Sequence, residues 1–245
     1  MISKKSITRQ RLRPRIWDPH FISTRNNLKT IRKLSSMTDK DSIVLDIGCG
    51  YKPFKEIIPH KKYIGIDFDK NGSNADIALD CDKKDLPFGK EYFDVVIISE
   101  TLEHLLETQH VLSEVRRVLK KKGLLFISTP FMFCEHGVPY DNYRFTRHFY
   151  NSKFPDFIKL HIQVSNNFFS APFVVWNQLL EHLPISIFRL PFIILNNLII
   201  ILLELLGKLI LAVISGNDKK DGKRGKIADG LDRGYEGISL IMMKK

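Results

Sequence analysis

Cysteine is scarce in this chain. Three among 245 residues, Cys49, Cys81 and Cys134, stand far apart, odd in number and never as C-x-x-C. That pattern supplies neither a disulfide framework nor a four-thiolate zinc site, and it suits a reducing, cytoplasmic setting. A membrane-length apolar run is missing too. Within the greasy region 185–214 the longest charge-free stretch, Leu190 to Leu203, is fourteen residues, against about twenty for a spanning helix. Residues 1–10 are polar and basic with no apolar segment behind them, so no cleaved signal peptide is expected. Acids are thin at both ends. Residues 1–40 hold eleven Lys or Arg against Asp18 and Asp39, a surplus of nine, and residues 216–245 hold eight against five acids, a surplus of three. The net charge is +11, so residues 41–215 carry about −1. A near-neutral body without an Asn-Pro-Pro-Tyr-like motif for flipped bases argues against nucleic acid as partner. Basic ends suit an anionic membrane surface or an acidic partner, or act as solubilising tails.

One glycine is also missing. Ile43-Val44-Leu45-Asp46-Ile47-Gly48-Cys49-Gly50 is a short apolar strand running into an acid and two close glycines, the pattern of a loop where backbone approaches a ligand. Tyr51, Lys52, Pro53 and Phe54 follow, so the third glycine of the dinucleotide fingerprint is absent. Tyr63-Ile64-Gly65-Ile66-Asp67 repeats the design, with an acid at the strand end where a ribose lies in a doubly wound sheet. D-x-G-x-G followed by a strand ending in Asp resembles the class I S-adenosylmethionine-dependent methyltransferases. The resemblance implies an α/β fold with a Rossmann-like seven-stranded sheet, helices on both faces and, in this chain, an apolar helical insertion before the last strand. It implies S-adenosyl-L-methionine as cofactor, with the loop of Asp46, Gly48, Cys49 and Gly50 under its amino acid part and Asp67, next to Phe68, on the ribose.

Later strands extend the resemblance. Residues 76–88 give a third strand, an acid cluster and the Leu86-Pro87-Phe88 turn. By alignment Asp82, with Asp80 its near competitor and Cys81 between them, meets the adenine; a solvated acidic loop is the alternative. Tyr92 to Glu100 reads as a fourth buried strand whose end, Ser99 and Glu100, faces the crevice. Leu102-Glu103-His104 resembles the L-E-H segment of ubiquinone-biosynthesis-type methyltransferases, and Glu100 and His104, four apart, would share a helix face beside the cofactor. An amphipathic helix over Gln109–Lys120, a fifth strand over Leu124–Ser128, a sixth near Lys159–Val164 and a last antiparallel strand from Gly237 to Met243 complete the plan. Before the first strand, Ser23 or Thr24 would cap a helix carrying Leu28, Ile31 and Leu34 behind a disordered start. Pro53 to Pro59 leaves room for two helical turns.

The densest polar and aromatic loop is Thr129 to Thr146. Methyl transfer is an in-line displacement, so the protein aligns the acceptor and, for a hydroxyl, removes its proton. His136 is the expected base, its ordinary pKa lying near neutrality. Tyr140 would act with it; Tyr140, Asp141 and Tyr143 would shape or bind the acceptor, and Arg144 would hold an acidic group of it such as a carboxylate or phosphate. The competing reading has Tyr143, Arg144 and Phe145 locking the loop to a helix capped by Thr146. H-G-x-P-Y-D-x-Y-R-F-T is similar to a pattern in methyltransferases of bacterial surface-polysaccharide gene clusters, which implies a sugar or lipid-linked glycan acceptor methylated at oxygen. A quinone or other lipid acceptor and a catalytically inactive membrane-associated module are the alternatives.

The expected organisation is a basic arm and helix over 1–40, a methyltransferase domain over 41–168 and 232–245, and an apolar insertion over 169–231. On a helical wheel Arg189, Asn196, Glu204 and Lys208 form a narrow stripe beside a wide apolar face. Such a helix lies in a membrane interface, covers a partner or the core, or spans the bilayer. Peripheral contact at the inner membrane face through 185–214 and the basic segment 219–226 is the expectation; no metal is expected, and an oligomer is open.

Overall fold

Side chains alternate along the central strands, and the alternation decides which helix each residue meets. The computed structural model describes residues 4–69, 71–166, 169–182, 186–218 and 237–245. Its strands are β1 (Ile43–Ile47), β2 (Lys62–Asp67), β3 (Ile77–Ala78), β4 (Phe93–Ser99), β5 (Leu119–Pro130), β6 (Phe157–Ser165) and β7 (Gly237–Lys244). They form one seven-stranded sheet in the order β3-β2-β1-β4-β5-β7-β6. The first five pair in parallel, and β7 runs antiparallel to both β5 and β6.

The helices are α1 (Lys4–Leu12), α2 (Phe21–Ser36), α3 (Thr108–Val118), α4 (Arg147–Lys153), α5 (Ala171–His182) and α6 (Ser186–Asp218). On one face of the sheet Leu45, Ile47, Val96, Ile98, Leu125 and Ile127 meet Val111, Leu112, Val115 and Val118 of α3. On the other, Val44, Val95, Ile97, Phe126 and Ile241 meet Ile31 and Leu34 of α2. Each fully buried aliphatic side chain contributes roughly 1.5–3 kcal/mol, so both faces hold their layers without a disulfide.

Several boundaries differ from the pattern-based expectation. The arm begins with α1, where disorder was expected. α2 starts at Phe21, not after Ser23, because a tight turn brings the Phe21 amide to the Asp18 carbonyl; the Ser23 hydroxyl donates back to the His20 carbonyl. α3 ends at Val118, and β5 begins directly at Leu119, earlier than Leu124. Between Gly50 and β2 there are turns and no α-helix, because Lys52 takes a left-handed φ of 53° with Pro53 behind it. Glu100 likewise has φ 51°, so it leaves the strand in a turn and shares no helix with His104.

Candidate active site

The carboxyl ends of β1 and β2 frame an open crevice. Gly48 has φ 67°, and a side chain there would run into Thr101 beyond β4, 2.3 Å from its Cγ2. Gly50 has φ 50° and faces open space: a Cβ there would meet nothing within 4 Å. The Gly50 amide donates to Asp67 Oδ2 at 2.9 Å, which ties the loop to the second acidic strand end. Phe68, 70% exposed, and Leu106, 59% exposed, present bare apolar surface at this end of the sheet. Asp82 accepts the Leu106 and Glu107 amides, both at 3.0 Å, and Asp80 pairs with Lys83, which holds its carboxyl below the usual range. A backbone-lined loop with open space above it, two strand-end acids and an apolar wall fit an adenosyl group bearing an amino acid. Phe68 also packs against Tyr140, ring centres 6.0 Å apart.

Other expected cofactor residues lie elsewhere. Asp46 shares the face of Val44, so its carboxylate points into the α2 layer, buried, where the Tyr63 hydroxyl donates to it at 2.7 Å. Burial pushes that carboxyl up to about 7. Cys49 and Cys81 are buried thiols, each pushed up to about 12 by desolvation. Ser99 turns to the α2 side, where the Asn27 amide reaches both Ser99 and Ser128, with Ser239 beside it. These serines are register neighbours on β4, β5 and β7. Pattern reading missed this row, because three isolated serines become a polar floor only once the register aligns them.

Above that floor lies a cavity of about 350 Å³. Its walls include Asn27, Glu100, Phe133, His136 and Ser239, and its roof comes from the arm through Arg11 and His20. Arg11 also bears electrostatically on Asp46. An arm residue in the cavity lining that also bears on β1 was not foreseen, because α1 lies more than thirty residues upstream of that strand.

The loop after β5 folds onto the turn after β4. The amides of Asn142 and Tyr143 donate to the Glu103 carbonyl, and the Asn142 side chain donates to the His104 carbonyl. Asp141, its side chain almost fully buried, accepts the His136 amide at 2.9 Å and two Arg144 N–H groups at 2.5 and 2.7 Å. The Arg144 guanidinium holds the Asp141 carboxyl well below the usual range. Arg144 also donates to the carbonyls of Phe133 and Tyr143. It is a loop clamp, which corrects its assignment to the acceptor. The Tyr143 hydroxyl donates to the Leu106 carbonyl, on the side of Asp82. Tyr140 stands over Phe68 and its carbonyl pairs with His104 Nδ1 at 3.0 Å, so it lies on the cofactor side and is not in the cavity wall with His136.

His136 is the expected acid–base residue that does line the cavity. Its Nδ1 lies 3.2 Å from the Cys134 carbonyl and 3.3 Å from Asp141 Oδ2. Its ring packs edge-on against His104, centroids 5.0 Å apart. Beneath both is Glu103, fully buried, with neither carboxylate oxygen hydrogen-bonded. Burial first, then the charge of Glu100, pushes its carboxyl up to about 9. Burial lowers the pKa of His104, which favours its neutral ring.

The insertion is built inside out. Asn177 of α5 and Asn196 and Asn197 of α6 bond to one another, and the two α6 asparagines reach the carbonyls of Phe173, Ile16 and Asp18. Glu204 pairs with Arg25 of α2 at 2.9 Å. Asn196, Asn197 and Glu204 thus face the body, while Lys208 and Leu195, Leu198, Leu202, Leu205 and Leu209 are exposed. The stretch Arg189–Ile210 is long and apolar enough, by length and composition, to cross a membrane. Residues 219–226 lie outside the described residues.

Known proteins agree with this architecture. Residues 45–127 match the family model described as a methyltransferase domain. Over 139 residues the chain is 24% identical to a sarcosine/dimethylglycine N-methyltransferase of Halorhodospira halochloris, a match covering 49% of this chain and 50% of that protein. The chain therefore spans about half the length of the curated relative it matches. Among solved structures it is similar to a SAM-dependent methyltransferase from Archaeoglobus fulgidus, with TM-score 0.52, 16% identity and coverage of 97% and 98% of the two chains. It is also similar to the geranyl diphosphate C-methyltransferase of Streptomyces coelicolor A3(2), solved with Mg2+, geranyl diphosphate and S-adenosyl-L-homocysteine. That likeness has TM-score 0.53, 11% identity and coverage of 95% and 88%.

Proposed function

We propose that the chain is a class I S-adenosylmethionine-dependent methyltransferase that methylates an oxygen of a small hydroxyl-bearing acceptor, a sugar or lipid-linked glycan; the methyltransferase-domain match over residues 45–127 and the likeness in fold support this reading. The observation that carries this reading is a cavity lined by His136, by Glu100 just past β4 and by Thr129 and Pro130 at the end of β5, the same end of the parallel strands at which Gly50 and Asp67 lie. S-adenosylmethionine, when bound, supplies an electrophilic methyl group on a sulfonium. Gly50, Asp67 and Asp82 are the residues that would hold it, with Phe68 and Leu106 as apolar walls.

The protein's own work is alignment and proton removal. With Nδ1 of His136 facing the Cys134 carbonyl and Asp141, Nε2, 4.0 Å from Glu103 Oε1, is the ring nitrogen that would take the acceptor's proton. Asn27 and Ser239 in the cavity wall offer a donor and an acceptor, which suits a hydroxylated ring. A cavity of about 350 Å³ holds one such ring and no extended polymer.

The outward leucines of α6 favour an acceptor presented at a membrane surface, with the enzyme bound peripherally. The test is transfer of labelled methyl from S-adenosylmethionine to nucleotide sugars, lipid-linked glycans and quinols. Label recovered on oxygen of a released sugar supports the reading. Label on a quinol sinks the glycan assignment, and cofactor binding without transfer to any acceptor favours a binding module.

A further inference from the structure

Two imidazoles and a buried carboxylate converge beneath the loop after β5. Glu103 Oε1 lies 3.8 Å from His104 Nε2 and 4.0 Å from His136 Nε2. One ligand atom from each residue lies within 4.8 Å of the other two. Glu103 is wholly buried, yet neither of its oxygens has a hydrogen-bond partner. An unpartnered carboxylate in such a place requires a proton or a cation.

The surroundings select between these. In metal sites a ligating histidine commonly donates its other ring N–H to a carbonyl or carboxylate, which fixes the ring and leaves the free nitrogen to the ion. Both histidines are held in this manner. His104 Nδ1 faces the Tyr140 carbonyl at 3.0 Å, and His136 Nδ1 faces the Cys134 carbonyl and Asp141. Asp141 is in turn gripped by Arg144 through two hydrogen bonds. Both Nε2 atoms are thereby left to Glu103.

We propose that Glu103, His104 and His136 form a binding site for one divalent transition-metal ion, with Asp141 as the residue that positions His136. Two imidazole nitrogens and one carboxylate oxygen are a donor set for zinc or ferrous iron, and three protein ligands leave a coordination position open. Bond lengths of about 2.0–2.2 Å require the three atoms to draw together, Glu103 and each histidine by several tenths of an ångström and the two histidines by up to about 1.4 Å. His104 and His136 sit on a turn and a loop, where such a shift is small.

The proposal deepens the methyltransferase reading and rests on its placement of the acceptor. Because His136 lines the cavity, the open position addresses the acceptor. A coordinated hydroxyl is more acidic, so a bound ion would let the acceptor release its proton to bulk water, with His136 serving as a ligand and not as the base.

The test uses the full chain stripped with a chelator and titrated with Co2+, followed by visible d–d absorption, and with Zn2+ by calorimetry. One equivalent of each is expected at micromolar or tighter affinity. Glu103→Gln and His136→Gln should each weaken it at least a hundredfold, and Asp141→Asn by roughly 10- to 100-fold. Circular dichroism of each variant checks its fold. No uptake by wild type, or uptake equal in Glu103→Gln and His136→Gln, overturns the proposal. S-adenosylhomocysteine titration of the metal-free wild type separates the two readings: cofactor binding without metal uptake removes the metal site and leaves the methyltransferase standing.

Discussion

Asp67 shows how one carboxylate serves the fold and the site together. Its Oδ2 accepts the Gly50 amide and its Oδ1 a longer bond from the Asp69 amide, which leaves further lone pairs of a half-buried carboxylate for a ligand. Asp67→Asn keeps a carbonyl for Gly50 but loses the charge. S-adenosylhomocysteine should therefore bind about 10- to 100-fold more weakly by calorimetry, since hydrogen bonds to a charged group are worth about 1.5–3 kcal/mol. Unchanged affinity would remove Asp67 from the cofactor. Asp46 makes the opposite case, a motif acid serving the fold. The groups bearing on it are Tyr63, Arg11, Lys52 and Asp67. Its folded pKa of about 7 lies above an unfolded value near 3.8, so its protonated form favours folding. That contribution is complete below about pH 4, falls as pH rises, and is gone above about pH 7; the slope is at most about 1.4 kcal/mol per pH unit. Asp46→Asn should flatten urea-measured stability across this window and leave the protein more stable than wild type at pH 8. An unaltered slope would show that Asp46 ionises freely in the folded protein.

At the scale of elements, the α5–α6 pair inverts the usual surface helix, which turns its apolar side to the core. Asn177, Asn196 and Asn197 lie inward and satisfy one another. Asn197→Ala strands the Asn177 side chain and two backbone carbonyls, so it should cost about 1–3 kcal/mol of stability in urea unfolding. The outward leucines require a different partner. Replacing Leu198, Leu202 and Leu205 with serine should reduce flotation with anionic vesicles at least tenfold while S-adenosylhomocysteine affinity holds. These leucines step by four and three residues, the spacing of a two-helix seam. Loss of self-association in sedimentation, with vesicle binding intact, would assign them to a second copy of the chain.

For the whole molecule, a near-neutral body between basic ends predicts membrane contact governed by salt. Vesicle binding should require anionic lipid and weaken several-fold between 50 and 500 mM salt, because attraction to headgroups falls off within a Debye length of about 8 Å at physiological ionic strength. Binding indifferent to salt would leave the leucine face alone responsible. The parallel sheet, the glycine loop and Asp67 at its strand end were legible in the sequence because each rests on a local rule: buried strands read as apolar runs, and a left-handed loop selects glycine. The turn replacing a helix after Gly50 was half-legible, through Lys52-Pro53. Tertiary structure alone decided what depends on direction and distant contact. It turned Asp46 and Ser99 to the α2 side, because strand parity acquires meaning only when both faces have partners. It engaged Arg144 with Asp141, brought Arg11 into the cavity lining and set Asn196, Asn197 and Glu204 of α6 inward. It also placed Glu103 under two histidines, one of them over thirty residues away, since long-range packing determines which polar atoms share one buried space.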